Sequence, residues 1–218
     1  MASIQDAVKD ANKAAAEMVS DTGGAVIEGT VNQAGQVTTF TKPSMATVAA
    51  STGVIPRSTP FVKVNEDGIK IGKDKTYLEG FEGKILMVED KGFQVKHTVR
   101  FGNPAQYLST YDGAICDKGG SWGDALQKAK MADPKAEPYP SVDVVIELTK
   151  PVKLKEETLN PGQKVGFNSS KTNFSEWSDF YQACAEAGVL GQEVDVKIGF
   201  REIDHGGNTW GVLTFELL

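Results

Sequence analysis

Aromatic and basic side chains alternate along residues 91–135, and their types suit the binding of a single nucleic-acid strand. Flat aromatic rings stack on unpaired bases, while Lys and Arg side chains follow the phosphates. The segment carries seven Lys or Arg residues against four Asp, a balance of +3 in a chain whose net charge is −6. Because the net negative charge argues against coating duplex DNA by bulk attraction, the pattern predicts a short groove for single strands.

Nine side chains make up the predicted binding surface. Tyr107 and Tyr111 lie in a loop-like stretch, 102–113, where a ring is more accessible to a base than on a packed strand. Trp122 and Trp210 are further candidates for stacking. The cations expected to face phosphates are Lys63, Lys70, Lys96, Arg100 and Arg201.

One predicted strand, around residue 97, has two unlike faces. Phe93 shares a face with Val95 and Val99, so this face is expected to be buried. Lys96 and Arg100 lie on the opposite face because side chains alternate along a strand. That opposite face is therefore the predicted side for DNA.

Alternating runs and tight turns predict a chain dominated by β-hairpins. Asp67-Gly68 separates two alternating runs, 60–65 and 69–72, which is a strong hairpin signal. The chain closes with a second predicted hairpin, 194–203 with 210–218, around Gly206-Gly207. Further strands are predicted at 25–31, 83–89, 93–101, 142–148 and 164–167.

Helical spacing is confined to a few segments. Ser121 is a good cap for a helix over 121–131. Asn173 and Glu176 have capping-box spacing, which predicts a second helix beginning at Asn173 and ending at Gly188. A weaker amphipathic stripe predicts a helix over 3–19.

These elements predict two regions and a mainly β, α+β fold. Residues 1–55 are expected to form an N-terminal helix and flexible arm, and any homo-oligomer is expected to form through it. Residues 56–218 are expected to form an antiparallel, OB-like, partly open barrel with two short helical inserts. Other α+β sheets fit the same pattern of elements.

The chain lacks recognisable catalytic and metal-binding motifs. It has no G-x-S-x-G, Walker or G-x-G-x-x-G sequence, and its two cysteines, Cys116 and Cys184, form no C-x-x-C pair. His97 and His205 are far apart in the sequence. We therefore expect a non-enzymatic protein with no catalytic residue, metal or cofactor.

Two alternatives stay open at this stage. A metal-dependent nuclease is one, because Asp195-Val-Lys197 follows Glu193, although the upstream acidic partner is missing. A structural or interaction protein, such as a virion component or an inhibitor of a host factor, is the other, with the N-terminal arm mediating assembly.

No apolar run is long enough to span a membrane, and the N-terminus lacks a basic and apolar leader. Together with the low cysteine count, these features predict a cytoplasmic protein.

The order and spacing of elements over 56–218 resemble a group of bacteriophage-encoded single-stranded-DNA-binding proteins. The resemblance lies in the hairpin at 61–72, the helix at 174–188 and the two terminal strands, 194–201 and 208–217. It implies an OB-like fold and a role in phage DNA replication or recombination, in the host cytoplasm, with the protein protecting displaced strands. Many such proteins carry an acidic C-terminal tail, whereas this sequence ends in Thr214-Phe-Glu-Leu-Leu.

Overall fold

The computed structural model describes residues 27–31, 37–41, 53–56 and 58–218. The chain divides into two compact units, Met1–Ala49 and Ala50–Leu218. In the first unit, β1 (Ile27–Val31) and β2 (Val37–Thr41) form an antiparallel hairpin, which confirms the strand predicted at 25–31. The helix predicted over 3–19 lies outside the described residues.

The second unit consists of β-strands and two helices among its described residues. The elements are β3 (Phe61–Asn65), β4 (Gly68–Ile71), β5 (Gly80–Leu86), β6 (Phe93–Phe101), β7 (Gln106–Thr110), α1 (Trp122–Ala132), β8 (Pro138–Leu148), β9 (Val152–Lys153), β10 (Thr158–Leu159), β11 (Lys164–Asn168), α2 (Lys171–Glu186), β12 (Glu193–His205) and β13 (Asn208–Leu217). The predicted hairpins around Gly68 and Gly206, the strand at 93–101 and the helix after Ser121 are confirmed. The strand predicted at 83–89 begins three residues earlier, at Gly80.

Nine of these strands form one sheet built around the long strand β8. The order is β13-β12-β5-β8-β11-β3-β4, and β6 also pairs with β8 and carries β7 on its outer side. Most neighbours are antiparallel, as hairpin connections require, while β11 and β3 are parallel. The mainly β, α+β class is therefore confirmed.

The strands are not joined into a closed barrel in the part of the chain that the structure describes. The sheet nevertheless curls until β13 contacts β3. Gly211 on β13 lies so close to the carbonyl oxygen of Asn65 that no Cβ would fit there. Glycine at this position allows the close approach of two backbones.

One face of the sheet holds the main apolar core. Alternate residues of β8, among them Val144 and Ile146, are fully buried on this face. Helix α2 packs on the core through Trp177, whose ring centroid lies 5.3 Å from Phe93 and 5.7 Å from Phe215. A smaller cluster, which includes Trp122, packs α1 on the far ends of β6 and β7.

The two helices differ in how well their starts match the predictions. Ser121 caps α1 as predicted, accepting the Asp124 N–H at 3.1 Å. The prediction that Asn173 caps α2 is wrong, because Ser170 fills that role and accepts the Asn173 N–H at 3.3 Å. Asn173 is buried, and its Oδ1 instead accepts the backbone N–H of Leu213 on the outer edge of β13 at 2.8 Å.

The outer edge of β7 is occupied by the segment that follows it. Ser109 donates its backbone N–H to the Asp117 carboxylate at 2.9 Å, and its carbonyl accepts the Asp117 N–H at 2.8 Å. Lys118 Nζ donates to the Tyr107 carbonyl at 2.7 Å. The segment at 117–118 therefore takes up backbone groups that a further strand would need.

Neither described helix is long and apolar enough to cross a membrane.

Candidate nucleic-acid interface

Two open grooves meet at the amino end of α2 and form one continuous surface, which we call the α2 groove. They share three lining residues, Asn168, Ser170 and Thr172. The tyrosine end of the groove is lined by Arg100, Tyr107, Tyr139 and Lys171, together with the hydroxyls of Thr98, Ser109 and Ser169. The tryptophan end is lined by Phe61, Lys63, Trp210, Gly211 and apolar neighbours on β3 and β11.

The strand register places the tyrosine end on a single face. Arg100 on β6 is the direct partner of Tyr107 on β7, so the guanidinium and the phenol are neighbours. Tyr139 pairs with Thr98 from the other side of β6. Tyr107 is 47% exposed, so a base can reach its side chain.

The neighbouring groups affect the ionisation of Tyr139 in opposite directions. Burial raises the pKa of the Tyr139 phenol, the nearby Tyr107 hydroxyl raises it further, and Arg100 lowers it. The Lys118 ammonium, held on the Tyr107 carbonyl, adds a second cation beside the same strand. Lys171 contributes a third cation, at the positive end of the α2 dipole.

Phe61, Lys63 and Trp210 line the tryptophan end from two different strands. Phe61 is 37% exposed and Lys63 is exposed, both on the side of β3 opposite the core residue Val62. Trp210, near the start of β13, is half-buried. Its indole Nε1 is fully buried and has no hydrogen-bond partner among the described residues.

A buried polar network forms the floor beneath the groove. Asp143 on β8 accepts Lys96 Nζ at 2.8 Å and Asn168 Nδ2 at 2.9 Å on Oδ1, and Tyr111 Oη at 2.6 Å on Oδ2. Thr98 continues the polar floor through hydroxyl contacts to its strand neighbours. The network connects β6, β8 and β11, the strands that carry much of the groove.

Lys96 and Tyr111 therefore do not take the roles predicted for them. Lys96 is 5% exposed and ion-paired with Asp143, so it is not available to a phosphate. Tyr111 is half-buried, and its ring lies 5.5 Å from Lys96 Nζ. Burial, followed by the Asp143 charge, raises the pKa of the Tyr111 phenol far above its ordinary value.

Three more predicted residues lie away from the groove. Trp122 is 8% exposed in the α1 cluster, so the prediction that it stacks on a base is wrong. Lys70 Nζ lies 4.0 Å from the centroid of the Tyr77 ring. Arg201 forms an ion pair with Glu176 on α2.

Four of the nine predicted residues line the groove, and sequence reasoning missed three others. The four are Lys63, Arg100, Tyr107 and Trp210. The missed residues are Phe61, Tyr139 and Lys171. Lys171 had a usable signal, because it directly follows Ser170, but the helix start was assigned to Asn173 instead.

The residues considered for a nuclease do not assemble a metal site in the described part of the chain. Lys197 extends from β12 toward Glu216, with Nζ 3.7 Å from the carboxylate, and Asp195 is exposed two residues earlier. No group of three or more His, Cys, Asp or Glu side chains within the described ranges is arranged to hold a metal ion.

Comparisons with known proteins do not assign the chain to a family. A scan against protein-family models and searches of curated proteins and of solved structures gave no match. The functional conclusion therefore depends on the α2 groove itself.

Proposed function

We propose that this protein binds single-stranded DNA along the α2 groove without acting as an enzyme. The observation that carries the proposal is the composition of the groove. Aromatic rings alternate with cations from Phe61 and Lys63 at one end to Arg100 and Tyr107 at the other. No Asp or Glu is found among the described residues that line it.

This composition matches the two contributions that bind single strands. Each stacked base contributes about 1–3 kcal/mol, so two or three accessible rings suffice for tight binding. Arg100, Lys63 and Lys171 supply charge for phosphates, and each neutralised phosphate makes affinity fall with salt at a slope of about 0.7. The acidic remainder of the chain disfavours long duplex contacts, because its net charge is −6.

The biological role that we propose is protection of displaced strands during phage DNA replication or recombination, in the host cytoplasm. The resemblance in element order over 56–218 motivates this role. The curled sheet, with β13 against β3, is compatible with an OB-like body. A groove on the face of such a sheet is a common place for an extended strand to bind.

The test is a fluorescence-anisotropy titration of a labelled oligo(dT) of about 30 nucleotides with the full-length chain. We expect tight binding at low salt and a log–log salt slope between about −1.4 and −2.8, because two to four cations face phosphates. A duplex of the same length is the control and should bind much more weakly.

Three results would contradict the proposal. They are an absence of binding at low salt, a binding constant that does not change from low to physiological salt, and equal affinity for duplex. An absence of binding would also redirect the search to protein partners, for which an assembly role of the N-terminal region is the open alternative.

A further inference from the structure

The two ends of the α2 groove differ in chemistry. The tyrosine end presents Arg100, Lys171 and a row of hydroxyls, which suits phosphate oxygens. The tryptophan end presents the rings of Phe61 and Trp210 over apolar neighbours on β3 and β11, with Lys63 as its cation. A phosphate gains little from apolar walls, whereas the faces of a nucleobase are themselves apolar.

The tryptophan end also holds an unused hydrogen-bond donor. Trp210 Nε1–H is buried without a partner among the described residues, although buried indole N–H groups usually find one. Leaving such a group unpaired is unfavourable. Because the nitrogen is buried in the free protein, a ligand can satisfy it only when the half-buried indole turns toward the groove. The free energy of binding can therefore include a hydrogen bond that the free protein does not make.

An acceptor lies in the same end of the groove. Asn168 is exposed, and its Nδ2 donates to the buried Asp143. The amide oxygen, Oδ1, accepts no hydrogen bond within the described residues, so it remains available to a ligand beside Asn168. A donor on Trp210 and an acceptor on Asn168 match the polar edge of a nucleobase, since every base edge carries both kinds of group.

We infer that the tryptophan end is a pocket for one nucleobase, held between aromatic and apolar side chains, and that the Trp210 indole turns on binding so that its Nε1–H donates to the base. This inference rests on the proposed function and deepens it. The base pocket and the phosphate-binding tyrosine end would contact different parts of the same strand. The pocket fixes the position of the strand, and the tyrosine end supplies most of the salt dependence.

The test combines one protein variant with one change in the DNA. Full-length wild type and Trp210→Phe are titrated with the shortest oligo(dT) that retains full affinity, and with copies that carry one abasic site at each position in turn. In the wild type, one position should be more sensitive than the others, with affinity reduced about tenfold. In Trp210→Phe, affinity for the intact oligonucleotide should fall about fivefold and that special position should disappear.

Intrinsic fluorescence supplies a second readout. The chain has three tryptophans, and Trp122 and Trp177 are 8% and 2% exposed in the core. Quenching by bound DNA should therefore come from Trp210 and be lost in Trp210→Phe. Trp122→Phe is the matched control, because it removes an indole outside the groove and should keep both affinity and quenching.

The outcomes separate this inference from the proposed function. Binding with an equal loss at every abasic position, or the same abasic profile in wild type and Trp210→Phe, would overturn the base pocket alone. A complete lack of binding to oligo(dT) would overturn both. Wild-type quenching that survives in Trp210→Phe would likewise overturn the pocket.

Discussion

Each end of the α2 groove is similar in size to a second groove on the same unit and opposite to it in charge. The second, which we call the acidic groove, is lined by Asp67, Glu79 and Glu216 together with Lys197 and Tyr77. Its volume is about 740 Å³, against about 670 and 620 Å³ for the two ends of the α2 groove. Size therefore does not distinguish the acidic groove from either end of the α2 groove, whereas carboxylates line only the acidic groove among the described residues.

The comparison shows how a chain of net charge −6 can present a site for an anion. The net charge is a sum over the whole chain. At moderate salt, however, a strand in the groove would interact mainly with the charges that lie within about 10 Å of it. Carboxylates around the acidic groove repel phosphates there. The same repulsion favours the α2 groove as the place where a strand settles.

The largest expected effect comes from dismantling the floor of the α2 groove. Asp143→Ala leaves the Lys96 ammonium buried without its partner and should lower the free energy of unfolding by about 3–5 kcal/mol. Urea denaturation measures this loss. The matched change in the acidic groove, Glu216→Ala, breaks the exposed pair with Lys197 and should cost less than about 1 kcal/mol. Equal losses in the two variants would show that the buried network stabilises the fold no more than an exposed ion pair does.

The second-largest effect is expected from substitutions that remove the cations of the tyrosine end. Arg100→Ala combined with Lys171→Ala should weaken oligo(dT) binding by about 3 kcal/mol and reduce the salt slope by about 1.4, because two phosphate contacts are lost. Anisotropy titrations at several salt concentrations measure both quantities. Lys197→Ala is the control in the acidic groove. An unchanged salt slope in the double variant would place the phosphates elsewhere.

Stacking on Tyr107 is expected to contribute somewhat less. Tyr107→Ala should weaken binding by about 1–3 kcal/mol, while Tyr107→Phe keeps the ring and should stay close to wild type. Tyr77→Ala is a matched control, because Tyr77 is 41% exposed but lies in the acidic groove. If Tyr77→Ala and Tyr107→Ala weaken binding equally, the strand does not distinguish the two grooves.

The smallest expected effect comes from removing negative charge from the acidic groove. Glu79→Gln combined with Glu216→Gln removes two negative charges without removing side-chain volume. It should raise the affinity for duplex at low salt by less than about 1 kcal/mol and leave oligo(dT) binding at physiological salt nearly unchanged. A large gain in oligo(dT) affinity would mean that the acidic groove borders the strand directly.

Local signals made much of the fold predictable. The hairpin around Asp67-Gly68, the strand at 93–101 and the terminal hairpin are each specified by alternation and by a glycine turn within a few residues. The strand β7 was mistaken for loop, because the turn signal before it is strong and two of its buried residues, Ser109 and Thr110, are polar. The Ser109 hydroxyl is satisfied by the Thr98 hydroxyl on β6, and the Thr110 hydroxyl donates to Asp112 two residues further along.

The candidate site was harder to predict because its chemistry depends on distant partners. Lys96 alternates with core residues as a solvent-facing cation would, but its partner Asp143 lies 47 residues further along the chain. Asn173 has the spacing of a helix cap, yet its side chain is used by Leu213, 40 residues away. Arg100 and Tyr107, whose positions depend only on exposure and neighbouring strands, do line the groove, and their contact with DNA stays a prediction.

The occupied outer edge of β7 bears on how several copies would share one long polynucleotide. Since Asp117 and Lys118 already hold the backbone of Ser109 and Tyr107, a neighbouring molecule finds these groups closed to strand addition. Adjacent copies at this end would meet through side chains instead of a shared sheet. A sheet-linked filament of the proposed DNA-binding protein would therefore have to form through a different edge.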